Sequence, residues 1–150
     1  MKIFKKLPSL LERKPFHALA LVLLLLNVSG IAAESNYASF VALVAVFLSA
    51  VTSVGIKMAM RTARPRLNKY RIIKYGFPSS HTQIAFSVVT VYANYAPQLS
   101  SLFFTLAILV AAARVYIKAH KKIDVVGGAA LGILTGALSI WSASNLPVFA

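Results

Sequence analysis

His120 stands four residues before Asp124 in the stretch Arg114-x5-His120-x3-Asp124, one turn apart if the segment is helical. A carboxylate at that spacing can accept a hydrogen bond from one ring nitrogen. That fixes the tautomer and leaves the other nitrogen to attack an electrophile. Asp124 borders an apolar run, where a carboxylate needs a partner, and Lys121 and Lys122 compete with His120 for that role. Arg114 closes the preceding apolar stretch and carries a planar fork of donors that suits an oxyanion. A histidine nucleophile, an orienting acid and a guanidinium are parts for chemistry at phosphorus.

Two more clusters supply cations and donors. In Lys57-x6-Arg64-Pro65 the spacing of seven is close to two helical turns, which predicts both cations on one helix face. Lys57 follows a long apolar run, where a cation is costly unless it snorkels or meets an anion. Taken alone, Lys57 reads more simply as a flanking cation that ends a span. In Phe77-Pro78-Ser79-Ser80-His81 a helix is expected to begin. Its N-terminus offers free N–H groups and partial positive charge to a phosphate. Ser79 or Ser80 can cap that helix and donate to phosphate oxygens, and His81 in the first turn can protonate a leaving oxygen. Ordinary capping beside an interfacial histidine explains the same residues. Each cluster is weak alone; together they gather two histidines, one acid and several cations in helix-end settings.

The elements that would hold these groups are apolar helices. The chain has 150 residues, is 59% hydrophobic and has a mean hydropathy of +0.76. Soluble domains are about 45–50% apolar, so a membrane protein is expected. A helix crosses the bilayer core in about 20 residues, and five stretches qualify, near 16–33, 37–60, 79–96, 98–117 and 124–145. The basic segment 1–15 before the first of them resembles a signal peptide, but the apolar run is too long for one, so an uncleaved first span is expected. His17, in that region, reads as an interfacial residue. The absence of cysteine excludes disulfides and thiolate chemistry. Gly128, Gly132 and Gly136 recur every four residues and line one face of the last helix, for close packing within the bundle or for a homodimer contact.

Sixteen Lys and Arg stand against three acids, Glu12, Glu34 and Asp124. With five spans, every cation lies on one side of the membrane or at its edge. Positive charge favours the cytoplasm, so a cytoplasmic basic face on a cell (inner) membrane is expected. A basic chain of this hydropathy points to anionic lipid, as surface or substrate, and away from nucleic acid.

Lys57-x6-Arg64-Pro65, Pro78-Ser79-Ser80-His81 and Ala113-Arg114-x5-His120-x3-Asp124 resemble, in order and internal spacing, the three signature motifs of the type 2 phosphatidic acid phosphatase superfamily. The resemblance implies an all-α, polytopic bundle and a metal-independent, cofactor-free phosphatase. It implies that His120 forms a phosphohistidine, that Asp124 orients it and that His81 is the general acid. Lys57, Arg64, Ser79, Ser80 and Arg114 would bind the phosphate. Bacterial relatives often face the site outward, opposite to the charge count. The chain departs from the pattern in carrying Ser80 where glycine is usual and Ala113 where serine is usual, and in having five expected spans where six are common. Pro-Ser-Ser-His followed by Thr82-Gln83 also resembles the polyprenyl-diphosphate branch.

The expectation is therefore a single all-α membrane domain over residues 1–150, with about five spans. It would hydrolyse a lipid phosphate monoester or diphosphate, such as a polyprenyl diphosphate, phosphatidylglycerophosphate, phosphatidate or a lipid A phosphate. A lipid-to-lipid phosphotransferase on the same scaffold and a non-enzymatic protein that binds anionic lipid are the alternatives.

Overall fold

The protein's structure, a computed structural model, describes residues 34–65 and 75–145, with side chains from Tyr37 onward. Its elements are α1 (Glu34–Met60), α2 (Ser80–Tyr95), a 3-10 turn (Pro97–Leu99), α3 (Ser100–Tyr116) and α4 (Lys122–Asn145). Among the described residues all regular structure is helical, as expected. The expected first span and the basic segment before it lie outside the described residues.

Among the described residues three segments are long and apolar enough to cross a membrane: Tyr37–Met60, Pro97–Tyr116 and Lys122–Asn145. The expected third span is present as α2, but it is shorter. Its sixteen residues rise roughly 24 Å at 1.5 Å each, less than a hydrocarbon core of about 30 Å. It is also the most enclosed helix, with an unbroken buried run from Thr82 to Val88. α1, α3 and α4 all pack on it, and α4 does so most extensively. The other helices therefore carry the outward apolar surface, with Leu43, Phe47, Leu109, Ile133 and Trp141 exposed as lipid-facing side chains require.

Glycine sets how closely α4 approaches α2. A Cβ on Gly128, Gly132 or Gly136 would lie 2.7, 2.4 or 2.7 Å from the backbone oxygens of Ser79, Gln83 and Ser87, respectively. The step of four on both helices shows that α2 and α4 run parallel, backbone against backbone. This glycine face is thus spent inside the bundle. α1 is tied on by polar pairs along its length. Tyr37 donates to the Ala143 carbonyl at 3.0 Å, Ser49 and Thr135 hydroxyls meet at 2.8 Å, and Gln83 Nε2 donates to Thr52 Oγ1 at 2.8 Å. Such bonds between membrane helices contribute about 0.6 kcal/mol each. Toward the other end the core is apolar, with Val41, Ala45, Val88, Val91 and Phe103 buried together.

Helix ends meet at the opposite pole. α1 stops where Arg61 turns to φ 47°, and the Arg61 N–H returns to the Lys57 carbonyl at 3.0 Å. α2 starts after Ser79, whose backbone is extended. Pro97 follows the end of α2, as its missing N–H requires.

Candidate active site

Lys57, in the last turn of α1, is only 1% exposed. Its Nζ donates to Ser53 Oγ at 3.0 Å and to the Pro78 carbonyl. The side chain points into the bundle, so the flanking-cation explanation does not hold: the ammonium ties α1 to the start of α2. The expectation for Arg64 needs correction. The chain leaves the helix at Arg61, so two helical turns do not relate Lys57 to Arg64. Instead a non-helical segment carries Arg64 to Gly76, where Arg64 Nε donates to the Tyr75 carbonyl at 2.5 Å. A Cβ on Gly76 would lie 3.1 Å from Asp124 Oδ2 and 3.5 Å from Arg64 Cγ. Arg64 and Asp124 are thus neighbours across a glycine that leaves room for both.

Ser79 takes the N-cap position of α2, yet its side chain caps nothing. Its N–H donates to the Asp124 carbonyl at 2.8 Å, and its Oγ accepts from Thr82 Oγ1 at 3.0 Å. The capping expected of Ser79 is replaced by a direct link from α4 to α2. Ser80 Oγ lies 2.7 Å from Ser53 Oγ on α1. His81 follows, half-buried in the first turn of α2. That turn carries the positive end of the α2 dipole, a setting that suits an anion.

The remaining groups come from the junction of α3 and α4. Arg114 is buried in the last turn of α3. Its carbonyl accepts the N–H groups of Ala119 at 3.1 Å and His120 at 3.3 Å, which pins the turn that carries the histidine. His120 is 3% exposed, and its Nδ1 lies 3.5 Å from Asp124 Oδ2. That is close apposition, though longer than the usual 2.7–3.2 Å N–H···O bond. Asp124 Oδ2 also accepts the Lys121 N–H at 2.9 Å. The carboxylate at the third position of α4 thus reaches back to the N-cap residue, half of a capping box. The Lys121 and Lys122 side chains are exposed. Lys121 holds Asp124 through its backbone, and the carboxylate stays with His120.

Charge at this pole sets the state of His120. Burial, and then the positive charges of Arg64, Arg114, Lys57 and His81, push its imidazole from 6.5 down to about 2. The ring is neutral at pH 7, the form with a lone pair for attack. All eight residues expected at the site, Lys57, Arg64, Ser79, Ser80, His81, Arg114, His120 and Asp124, lie at this one pole, supplied by the ends of all four described helices.

Residues 38–147 match the PAP2 superfamily, most of the chain and all three clusters. The protein belongs to the PAP2 superfamily. It is similar to the bacitracin transport permease protein BcrC of Bacillus licheniformis, 32% identical over 84 residues. That match covers 55% of this chain and 41% of BcrC, so the chain spans less than half of that relative's length. Two solved structures resemble it in fold. LpxE of Aquifex aeolicus superposes with a TM-score of 0.69 at 23% identity, over 90% of this chain and 86% of LpxE. The transmembrane PAP2-type phosphatidylglycerolphosphate phosphatase from Bacillus subtilis gives 0.67 at 20% identity, over 99% and 79%. These likenesses establish the fold, that of a multi-pass membrane protein.

In this PAP2 chain three supporting residues escape the motif reading. Ser53 lies one turn before Lys57, a signal present in the sequence, since a buried ammonium needs acceptors on its own helix face. Thr62 accepts the Gly76 N–H on its carbonyl at 2.8 Å and the Phe77 N–H on its hydroxyl at 2.7 Å. Nothing in the sequence announces that pairing across the loop. Gly76 is recognisable only once Asp124 and Arg64 are placed beside it.

Proposed function

We propose that the protein hydrolyses a lipid phosphate monoester or diphosphate through a phosphohistidine on His120, without a metal ion. The observation that carries this reading is the buried His120, its Nδ1 3.5 Å from Asp124 Oδ2, among cations at the N-terminus of α2. With Nδ1–H held toward the carboxylate, Nε2 keeps the lone pair. It attacks phosphorus in line with the ester oxygen, a P–N bond forms, and the P–O bond to the lipid breaks. His81 gives its proton to the departing oxygen. Lys57, Arg64, Arg114, the Ser79 and Ser80 hydroxyls and the first N–H groups of α2 take up the charge on the equatorial oxygens. Water then attacks the phosphohistidine, His81 takes back a proton, and inorganic phosphate and neutral His120 are released. The site lies at one pole of the bundle, so a headgroup can enter while its chain stays in the bilayer.

The Bacillus subtilis structure is that of a phosphatidylglycerolphosphate phosphatase. For this chain that lipid, phosphatidate, polyprenyl diphosphates and lipid A phosphates are the substrates to screen. Purified protein should release phosphate from at least one of them at full rate in excess EDTA. The support is the donor set: Asp124 is one carboxylate, and magnesium is ordinarily held by several oxygens. Orthovanadate, which mimics five-coordinate phosphorus, should inhibit. Loss of activity in EDTA with recovery on added magnesium would refute metal independence. Labelled lipid appearing in place of free phosphate, when acceptor lipids are supplied, would show a phosphotransferase.

We place the basic pole on the cytoplasmic side, because all sixteen Lys and Arg segregate to one side of the expected topology. The chain lacks cysteine, so single cysteines at Lys69 and Ser35 can be labelled by an impermeant reagent on intact cells. Label at position 35 and protection at position 69 are expected; the reverse pattern would turn the protein over.

A further inference from the structure

Ser53 belongs to none of the three clusters, yet it lies between two of them. It is fully buried on α1, with its Oγ 3.0 Å from Lys57 Nζ and 2.7 Å from Ser80 Oγ. Chemistry sets the direction of both bonds. An ammonium only donates, so Ser53 Oγ accepts from Lys57. The Ser53 proton then needs an acceptor, and among the described residues that acceptor is Ser80 Oγ. Were Ser80 the donor, the Ser53 proton would be buried without a partner, at a cost of about 1–3 kcal/mol. Ser53 therefore donates to Ser80, and the Ser80 proton is left to point elsewhere. Ser80 is half-buried, opens α2 and stands next to His81.

We propose that Ser53 is a positioning residue that presets the Ser80 hydroxyl as a donor to an oxygen of the bound phosphoryl group. The chain of donors runs Lys57 Nζ–H to Ser53 Oγ–H to Ser80 Oγ–H to the oxyanion, each bond polarising the next. Accepting from Ser53 closes one of the rotor positions of the Ser80 hydroxyl, so its proton is turned away from α1. The device needs a side chain at position 80 and gives Ser80 a function that a glycine there lacks. The inference rests on the reading of this pole as a phosphate site, and it adds a fixed donor supplied through α1.

Orthovanadate binding to the full chain in detergent, measured by calorimetry, tests it with wild type, Ser53→Ala, Ser80→Ala and the double variant. Losing one hydrogen bond to a charged group predicts about tenfold weaker binding for each single variant. The double variant should bind within about twofold of Ser80→Ala, because Ser53 acts through Ser80. Ser53→Thr keeps the hydroxyl and should keep most of the affinity. Should Ser53→Ala elute as aggregate, Ser53→Gly takes its place in the same cycle. The proposal is overturned if removing the Ser53 hydroxyl leaves binding unchanged. It is equally overturned if that removal costs the same factor with and without the Ser80 hydroxyl, the signature of an effect through Lys57 or packing alone. A wild type that binds vanadate but releases phosphate from no lipid would sink the phosphatase reading and leave the donor chain standing. A wild type that binds no vanadate would sink both.

Discussion

His120→Ala is expected to abolish phosphate release from every substrate, because the reaction proposed above forms its P–N bond on that imidazole and alanine leaves nothing to form it. The two site histidines should then separate by substrate. His81→Ala keeps the nucleophile and removes the proton donor, which typically contributes about 10²–10⁴-fold. On a lipid substrate that loss should appear in full. On an aryl phosphate with an acidic phenol the leaving oxygen needs no proton, so most of the rate should return. Asp124→Asn should fall between the two. It keeps His120 but replaces the carboxylate 3.5 Å from Nδ1 and weakens the acceptor of the Lys121 N–H. Phosphate release by each variant from both substrate types, with monodisperse elution confirmed, provides the comparison. Equal loss on both substrates by His81→Ala would make that residue a phosphate binder and not an acid.

A single methyl group on α4, away from the motif residues, should destabilise the whole bundle. At Gly132 a Cβ would lie 2.4 Å from the backbone oxygen of Gln83, an atom that cannot swing aside. Gly132→Ala must push α4 off α2. Overpacking of this kind costs typically 1–3 kcal/mol, or roughly 2–12 °C in melting temperature by the scaling for domains of this size. Activity should fall as well, since the Ser79 N–H to Asp124 carbonyl link joins the same two helices at the site. Gly55 is the control. A Cβ there meets nothing within 4 Å, so Gly55→Ala should be neutral or gain up to about 1 kcal/mol of helix propensity. Equal melting temperatures for the two variants would contradict the close α2–α4 contact.

The four described helices, and the gathering of the motif residues at one pole, were legible in the sequence because hydropathy and charge segregate so sharply there. The role of α2 was not. By length and hydropathy it is one span among five, whereas its Thr82, Gln83 and Ser87 are buried against neighbouring helices that enclose it. Periodicity also misplaced Arg64, because it assumed a helix that stops at Met60. The Ser79 hydroxyl looked like a cap because its position is one, but its geometry serves Thr82 instead. The shared contacts of Asp124, with Ser79 through its carbonyl and with Lys121 and His120 through its carboxylate, depend on how α4 meets α2 and are invisible to spacing alone. The Thr62 latch onto Gly76 and Phe77 pairs residues across a loop and has no local signature.

A covalent bond between His120 and phosphorus distinguishes the proposed reaction from direct hydrolysis by water. Protein mixed with a lipid substrate carrying radiolabelled phosphate, quenched within the first turnover and separated under denaturing conditions, should retain label. A phosphoramidate is stable to base and labile to acid, so the label should survive alkaline treatment, disappear in acid and map to the peptide containing His120. His81→Ala, which slows the formation of the intermediate and its hydrolysis, should still become labelled, and His120→Ala should not. Label on another residue, or active wild type that never carries label, would contradict the account.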